Sequence, residues 1–137
     1  MLSYARGPSL PLLEKTIGQA LEDAARQNPE GDAIVSRHQN LRLSYLDLHE
    51  QVEDTARGLW GLGIRPGDRV GMWASSCAEW VYLQVATTRI GAVLVNVNPA
   101  YRSHELRYVL RKSSMNYIWV LCRACPARPS EARRWRL

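Results

Sequence analysis

The chain has no phenylalanine, only three cysteines and no long run of apolar residues. A helix needs about 20 consecutive apolar residues to cross a bilayer, so the sequence predicts no transmembrane segment. The first fifteen residues carry one arginine and no apolar core, which argues against a secretory signal and makes a poor transit peptide. Three cysteines do not form a disulfide framework, so we expect a reducing, cytoplasmic location.

The net positive charge lies mainly at the end of the sequence. The formal net charge is +5, and residues 122–137 hold five Arg against one Glu, so +4 lies in this tail and +1 in residues 1–121. The tail has no apolar periodicity, and such a segment buries too little surface to offset its ordering entropy. We expect an incomplete globular segment over residues 1–121 and a basic, disordered tail over 122–137, which an out-of-frame reading or a truncation would explain.

The start of the sequence predicts a helix followed by a small hairpin. Thr16 and Gln19 have capping-box spacing, and apolar residues recur at helical intervals until Asn28, where a proline follows. Short apolar runs at residues 33–35 and 41–43 flank a polar turn, as in an antiparallel hairpin. Ser44 then caps a second helix, which ends at two glycines and has an apolar stripe of Leu48, Val52, Ala56 and Leu59.

Strand and helix patterns alternate from Arg69 onward. Residues 69–73 predict a strand, and the next helix has a wide apolar face and ends at Gly91. The apolar run at residues 93–95 predicts a strand covered on both faces. Ser103 is the expected cap of a further helix, and residues 117–121 form the last strand. The fold class is therefore α/β, a partial parallel βαβαβ sheet with helical crossovers, preceded by a helix and a small hairpin.

Four stretches of the sequence resemble the acyl-adenylating, or AMP-binding, enzymes in order and spacing. They are similar to the fatty-acyl-CoA synthetase branch in particular, and they comprise residues 41–64, 65–73, 75–101 and 102–113. The loop from Asn98 to Tyr101, followed by Glu105 and Leu106, is the most specific part. Four motifs in order carry more weight than any one alone. The resemblance covers residues 16–121 and no further.

The resemblance implies an N-terminal part of the large domain of an ATP-dependent ligase. Such enzymes activate a fatty or related carboxylic acid as an acyl-adenylate and transfer the acyl group to CoA, so ATP, Mg²⁺ and CoA are implied for the full-length family. Its phosphate loop is rich in Gly, Ser and Thr, and residues 1–137 contain no such loop. We therefore assign no catalytic, cofactor-binding or metal residue, expect no cofactor for this chain, and expect it to be inactive alone.

Several polar residues allow both a functional and a structural interpretation. Asn96, Asn98 and Tyr101 lie in a predicted loop after a parallel strand, where α/β sheets bind ligands. We favour loop structure, because position in a fold is only an analogy. Glu79 and Trp80 begin a predicted helix, and we assign them to packing.

The histidines and the cysteine pair show no catalytic pattern. His38, His49 and His104 are scattered, and solvated or capping roles are favoured over catalysis. Cys122 and Cys125 have C-x-x-C spacing, but no second pair or nearby histidine completes a metal site, so chance is the favoured explanation.

The basic tail supports an alternative function. Arg133, Arg134 and Arg136 surround Trp135, a combination that binds nucleic acid or an acidic partner in a small α/β interaction module. We favour a solvated tail without nucleic-acid binding and leave the oligomeric state open.

A sheet that ends after the last predicted strand has an unpaired edge and uncovered apolar surface, and ~1,000 Å² of such surface forfeits about 25 kcal/mol. We therefore expect poor solubility or partial unfolding of the isolated chain.

Overall fold

The computed structural model describes residue 7 and residues 10–120. In chain order, its elements are α1 (Ile17–Gln27), β1 (Asp32–Ser36), β2 (Leu41–Ser44), α2 (Tyr45–Gly61), β3 (Arg69–Trp73), α3 (Ala78–Arg89), β4 (Val93–Val97), α4 (Ser103–Ser113) and β5 (Tyr117–Val120). A single 3₁₀ turn, Arg37–Gln39, joins β1 to β2. The predicted tail lies outside the described residues, so the domain division after residue 121 stays a prediction.

Two capping boxes fix the starts of α1 and α2. The Thr16 N–H donates to Gln19 Oε1 (2.9 Å), and the Gln19 N–H donates to Thr16 Oγ1 (3.2 Å). Ser44 and Asp47 repeat the arrangement at α2, at 2.9 and 3.1 Å. Because the Asp47 carboxylate accepts from the backbone and side chain of Ser44, its pKa lies below the ordinary value. Both predicted helix starts are confirmed.

The hairpin of β1 and β2 is antiparallel, as the sequence predicts. Val35 pairs with Arg42 and Ser36 with Leu41. The turn closes on Asn40, whose φ of 50° lies in the left-handed region that asparagine tolerates. Ser36 is buried, so this end of the hairpin packs against the rest of the fold.

The second sheet has three parallel strands in the order β4-β3-β5. The central strand β3 has Val70, Gly71 and Met72 buried in succession. In the described part of the chain β4 is an edge strand, with Val93 48% exposed and Leu94 half-buried. The prediction that β4 is covered on both faces is therefore wrong. The covered strand is β3, because side chains on both of its faces are buried.

Gly71 allows the segment after α4 to approach the middle of β3 closely. A Cβ atom at this position would overlap the sulfur of Met115 and contact Ile118. Met115 is itself buried. A glycine inside a strand often marks such a close approach, so packing explains its place here.

Helices α2 and α3 pack against each other, and α2 also contacts the hairpin while α3 contacts β3 and β4. Their buried side chains include the predicted apolar stripe of α2, which is confirmed: Leu48, Val52, Ala56, Leu59, Leu83 and Ala86. Arg89, at the end of α3, forms an ion pair with Glu22 of α1 and donates from Nε to Glu53 Oε1 of α2 (2.8 Å). These contacts raise the pKa of Arg89 and tie three helices together at one corner.

Helix α4 is attached more loosely. It has no buried residue, and Leu106, Val109 and Leu110 are half-buried along one side. Its cap is Arg102, whose N–H donates to Glu105 Oε2 (3.2 Å), so the prediction of Ser103 as the cap is wrong. Ser103 is the first helical residue instead. Within residue 7 and residues 10–120, no helix combines the length and apolar character needed to span a membrane.

Candidate functional site

The carboxyl ends of β3 and β4 lie at the same edge of the parallel sheet. Trp73 pairs with Val97, so both strands stop at one level. The segments that follow them, residues 74–77 after β3 and residues 98–101 after β4, form what we call the carboxyl edge. Open α/β sheets bind ligands outside these strand ends, which makes the carboxyl edge the candidate site.

Asn98 shapes the loop at the carboxyl edge. Its Oδ1 accepts from the Ala100 N–H (2.9 Å), and its main-chain carbonyl accepts from the Tyr101 N–H (3.0 Å). The same carbonyl accepts from the Trp73 indole N–H (3.2 Å). The side-chain oxygen and the carbonyl of Asn98 are thus both engaged within the fold. This agrees with the structural interpretation of Asn98 that the sequence favours.

Asn96 and Tyr101 differ from Asn98 in their surroundings. Asn96 lies inside β4, so the prediction that it belongs to the loop is wrong. Side chains alternate along a strand, which puts the exposed Asn96 on the face opposite the buried Val97. Tyr101 is half-buried at the end of the loop. Asn96 and Tyr101 therefore stay candidates for ligand contact in a larger assembly.

The turn of the hairpin reaches the start of α3 through Gln39. Gln39 Oε1 accepts from the Ala78 N–H (2.9 Å) and from Ser36 Oγ (2.8 Å), and Gln39 Nε2 donates to Glu79 Oε2 (2.8 Å). Because the only proton of the Ser36 hydroxyl goes to Gln39, its oxygen accepts from Nδ1 of His38 at 3.3 Å. We call these four side chains, Ser36, His38, Gln39 and Glu79, the turn network. It borders the part of the carboxyl edge formed by residues 74–77.

Sequence reasoning missed the turn network. It predicted the polar turn but gave Gln39 no role, and it assigned Glu79 to packing. The side chain of Glu79 instead holds Gln39, whereas Trp80 packs against the core as predicted. Gln39 and Glu79 are 40 residues apart, and no local pattern in the sequence indicates their contact.

Cys77 and Tyr82 both have raised pKa values. Burial raises the pKa of the Cys77 thiol, and the nearby Glu79 carboxylate adds to the effect. Burial, with Glu79 and Cys77 as smaller causes, raises the pKa of Tyr82 to about 12. A protonated thiol is a weak nucleophile, so the raised pKa makes the Cys77 thiol less reactive at neutral pH.

The three histidines do not come together as a site. His38 belongs to the turn network, while His49 is half-buried on α2 and His104 is exposed on α4. Within the described part of the chain no three side chains of His, Cys, Asp or Glu converge as metal ligands. Cys122, Cys125 and the arginine-rich residues lie outside that part. The described residues thus do not fit Mg²⁺ with ATP, since they offer neither the ligand cluster nor a glycine-rich phosphate loop.

The described residues form an α/β layer, a parallel sheet with helical crossovers, and comparison with known proteins gives the family. A family profile described as "AMP-binding enzyme" matches residues 21–134, which extends past residue 121, where the resemblance was expected to stop. The chain belongs to the AMP-binding enzyme family.

Individual relatives are acyl-CoA ligases. The chain is 40% identical over 138 residues to "Medium-chain acyl-CoA ligase ACSF2, mitochondrial" of Mus musculus, covering 91% of this chain and 22% of the relative. For the Homo sapiens protein of that description the values are 39% over 153 residues, 99% and 25%. The chain thus spans about a quarter of the length of these relatives, in agreement with the expected ligase fragment. None of these relatives supports the alternative of an interaction module.

Solved structures support the fold. The N-terminal domain of FACL13 from Mycobacterium tuberculosis superposes with a TM-score of 0.75 at 27% identity, covering 77% of this chain and 27% of that one. A fatty acyl CoA synthetase from Mycobacterium tuberculosis gives 0.75 at 26% identity, covering 85% and 22%. The predicted α/β architecture, a three-stranded parallel sheet with helical crossovers, is confirmed.

Proposed function

We propose that this chain forms part of an ATP-dependent acyl-CoA ligase that activates a fatty acid, of medium chain length, as an acyl-adenylate and transfers it to CoA. The family match over residues 21–134 is the observation that carries the proposal. The names of the ligase relatives, at 39% and 40% identity, suggest the substrate class. In such a ligase the chain contributes the β4-β3-β5 layer and its carboxyl edge.

In the proposed ligase, the described residues have structural roles. Magnesium-bound ATP supplies the adenylyl group in this family, and we assign its binding to regions outside the described residues. Asn98 and Trp73 hold the two strand ends together, and the turn network fixes the start of α3. We assign no catalytic residue to this chain.

The isolated chain provides the first test. The purified 137-residue protein is incubated with ATP, Mg²⁺, CoA and octanoate, and pyrophosphate release is measured. We expect release no faster than in a reaction without protein. Release that depends on octanoate and on the protein would contradict the absence of catalytic residues.

A chimeric ligase provides the second test. Residues 16–120 of this chain replace the matching segment of the Mus musculus ligase, and octanoyl-CoA formation is measured. We expect an active chimera, and a matched chimera with Leu83→Ala in the core should lose folded protein and activity together. A chimera that folds, judged by circular dichroism and a cooperative melt, but forms no acyl-CoA would refute the proposal.

The cellular location and the partners belong to the same proposal. We retain the cytoplasm as the proposed location, while the descriptions of the mammalian relatives name the mitochondrion. Fractionation of cells that express the tagged chain distinguishes the two compartments. The proposed small-molecule partner is the fatty acid of the full ligase, and nucleic acid is not part of the proposal.

A further inference from the structure

Helix α3 has no local cap, unlike the two helices before it. Its N-cap residue is Cys77, whose side chain makes no capping hydrogen bond. The Ala78 N–H donates instead to Gln39 Oε1, across 39 residues of sequence. The first N–H groups of a helix need such acceptors, so Gln39 takes the place of the missing local cap.

Both ends of the Gln39 amide are used at once. The oxygen accepts from Ser36 and Ala78, while the nitrogen donates to Glu79. Glutamate lacks the donor at neutral pH, and it would bring a second carboxylate next to Glu79. Methionine has a similar length but lacks both functions. The site therefore demands an acceptor and a donor on one side chain.

From this geometry we infer that Gln39 is a positioning residue that fixes the part of the carboxyl edge formed by residues 74–77. That segment is held at one end by β3 and at the other by the start of α3. Gln39 fixes the second end, and it does so from the hairpin, a separate sheet. The importance of this for ligand binding rests on the proposed function, whereas the positioning itself does not.

Amide hydrogen exchange of the full 137-residue chain, read by NMR at single residues, tests the positioning. In the wild-type chain we expect the Ala78 amide to be protected whenever the amide of Leu83, in the same helix, is protected, so that partial unfolding of the isolated chain is read separately. Gln39→Met should lower that protection about tenfold at every pH, because the acceptor is gone. Gln39→Glu should lower it about tenfold at pH 7, where the introduced carboxylate and that of Glu79 are both charged and repel each other.

The Gln39→Glu variant also tests whether protection at Ala78 recovers at low pH, which a variant that only disturbs packing would not show. At acid pH the introduced carboxyl binds a proton and again offers one donor and one acceptor, so protection at Ala78 should return toward the wild-type value. The other titratable groups around this position are Arg37 and His38 on the turn, Cys77 at the N-cap of α3 and Tyr82 within α3. Gln51→Glu, on the exposed side of α2, adds the same charge and should leave Ala78 unchanged at both pH values.

Three results would overturn the inference. They are a wild-type chain in which the Leu83 amide is protected but the Ala78 amide is not, wild-type protection in Gln39→Met, and a Gln39→Glu variant whose loss at Ala78 persists at low pH while Gln51→Glu stays normal. Because exchange is measured without substrate, a failure of the ligase proposal would leave these outcomes unchanged. The two proposals therefore fail separately.

Discussion

The indole N–H of Trp73 donates to the main-chain carbonyl of Asn98 at 3.2 Å and thereby links the ends of β3 and β4. The same carbonyl accepts from the Tyr101 N–H, and a carbonyl oxygen has lone pairs for both donors. One oxygen thus anchors a strand end and a loop turn. The position of the carboxyl edge depends on this contact as well as on the strand pairing.

Replacing Trp73 tests the link between the strand ends. Trp73→Phe keeps an aromatic ring but removes the N–H, so we expect a loss of about 1 kcal/mol in the free energy of unfolding. Urea denaturation followed by circular dichroism measures it. Trp60→Phe is the matched control, since Trp60 is 48% exposed. The Trp60 ring centroid lies 4.3 Å from the Arg65 guanidinium carbon, and a phenylalanine ring keeps part of this stacking contact. Equal losses in the two variants would contradict the role of the indole N–H.

The core between α2 and α3 is the next target. Leu83 is 1% exposed, and Leu83→Ala leaves a cavity, so we expect a loss of about 2–5 kcal/mol in the free energy of unfolding. Whole domains have a total stability of only ~5–15 kcal/mol, and the uncovered sheet should leave this chain with less, so the variant should unfold well below the wild-type urea midpoint. Leu46→Ala, at a side chain that is 42% exposed, should cost much less. A small effect of Leu83→Ala would show that α3 is loosely packed.

Two glycine-to-alanine changes should have opposite signs. A Cβ at Gly71 overlaps the Met115 sulfur, so Gly71→Ala should cost about 1–3 kcal/mol. Gly58 lies inside α2 with open space around its missing Cβ, and Gly58→Ala should stabilise the chain by about 0.5–1 kcal/mol. Thermal or urea unfolding of both variants measures the difference. Stabilisation by Gly71→Ala would mean that Met115 moves away at little cost.

The local parts of this fold could be predicted from the sequence. The caps at Thr16 and Ser44 and the stripe of α2 depend on residues within a few turns of one another, so spacing alone reveals them. The strand–helix alternation likewise required a parallel sheet. The cap of α4 was placed one residue late, because Ser103 and Arg102 are neighbours and serine is the commoner cap.

The contacts between distant segments could not be predicted in this way. The continuous apolar run in β4 suits a strand covered on both faces and also a partly exposed strand of high β-propensity, and only what packs on each face decides between them. The contact of Gln39 with Glu79 depends on where the hairpin meets α3. The sequence places Asn98 and Tyr101 after a parallel strand, where ligands often bind, but it assigned no site residue and did not reveal the contacts of this edge.

Asp47, whose carboxylate caps α2, should make the free energy of unfolding fall as the pH becomes acidic. Hydrogen bonds from Ser44 hold the pKa of Asp47 below its ordinary value of 3.8, so the unfolded chain binds this proton more readily than the folded chain. The stabilisation is complete above the ordinary pKa and disappears as pH falls through the lowered one. Asp47→Asn keeps the shape without the titration. The difference in melting temperature between wild type and Asp47→Asn should therefore shrink below about pH 4, and a constant difference would contradict this.

The thiol of Cys77 should react slowly in the folded chain. Its pKa is raised above the ordinary value of 9.0, chiefly by burial, so at mildly alkaline pH the reactive thiolate is scarcer than in an unfolded chain. We expect iodoacetamide to label Cys77 at least several-fold more slowly in buffer than in urea, as measured by mass spectrometry of the peptide that contains it. Glu79→Gln removes one smaller cause of the raised pKa and should speed the labelling modestly without reaching the rate in urea. Equal rates in buffer and urea would mean that the β3–α3 turn opens freely, and the fixed carboxyl edge described above would then be wrong.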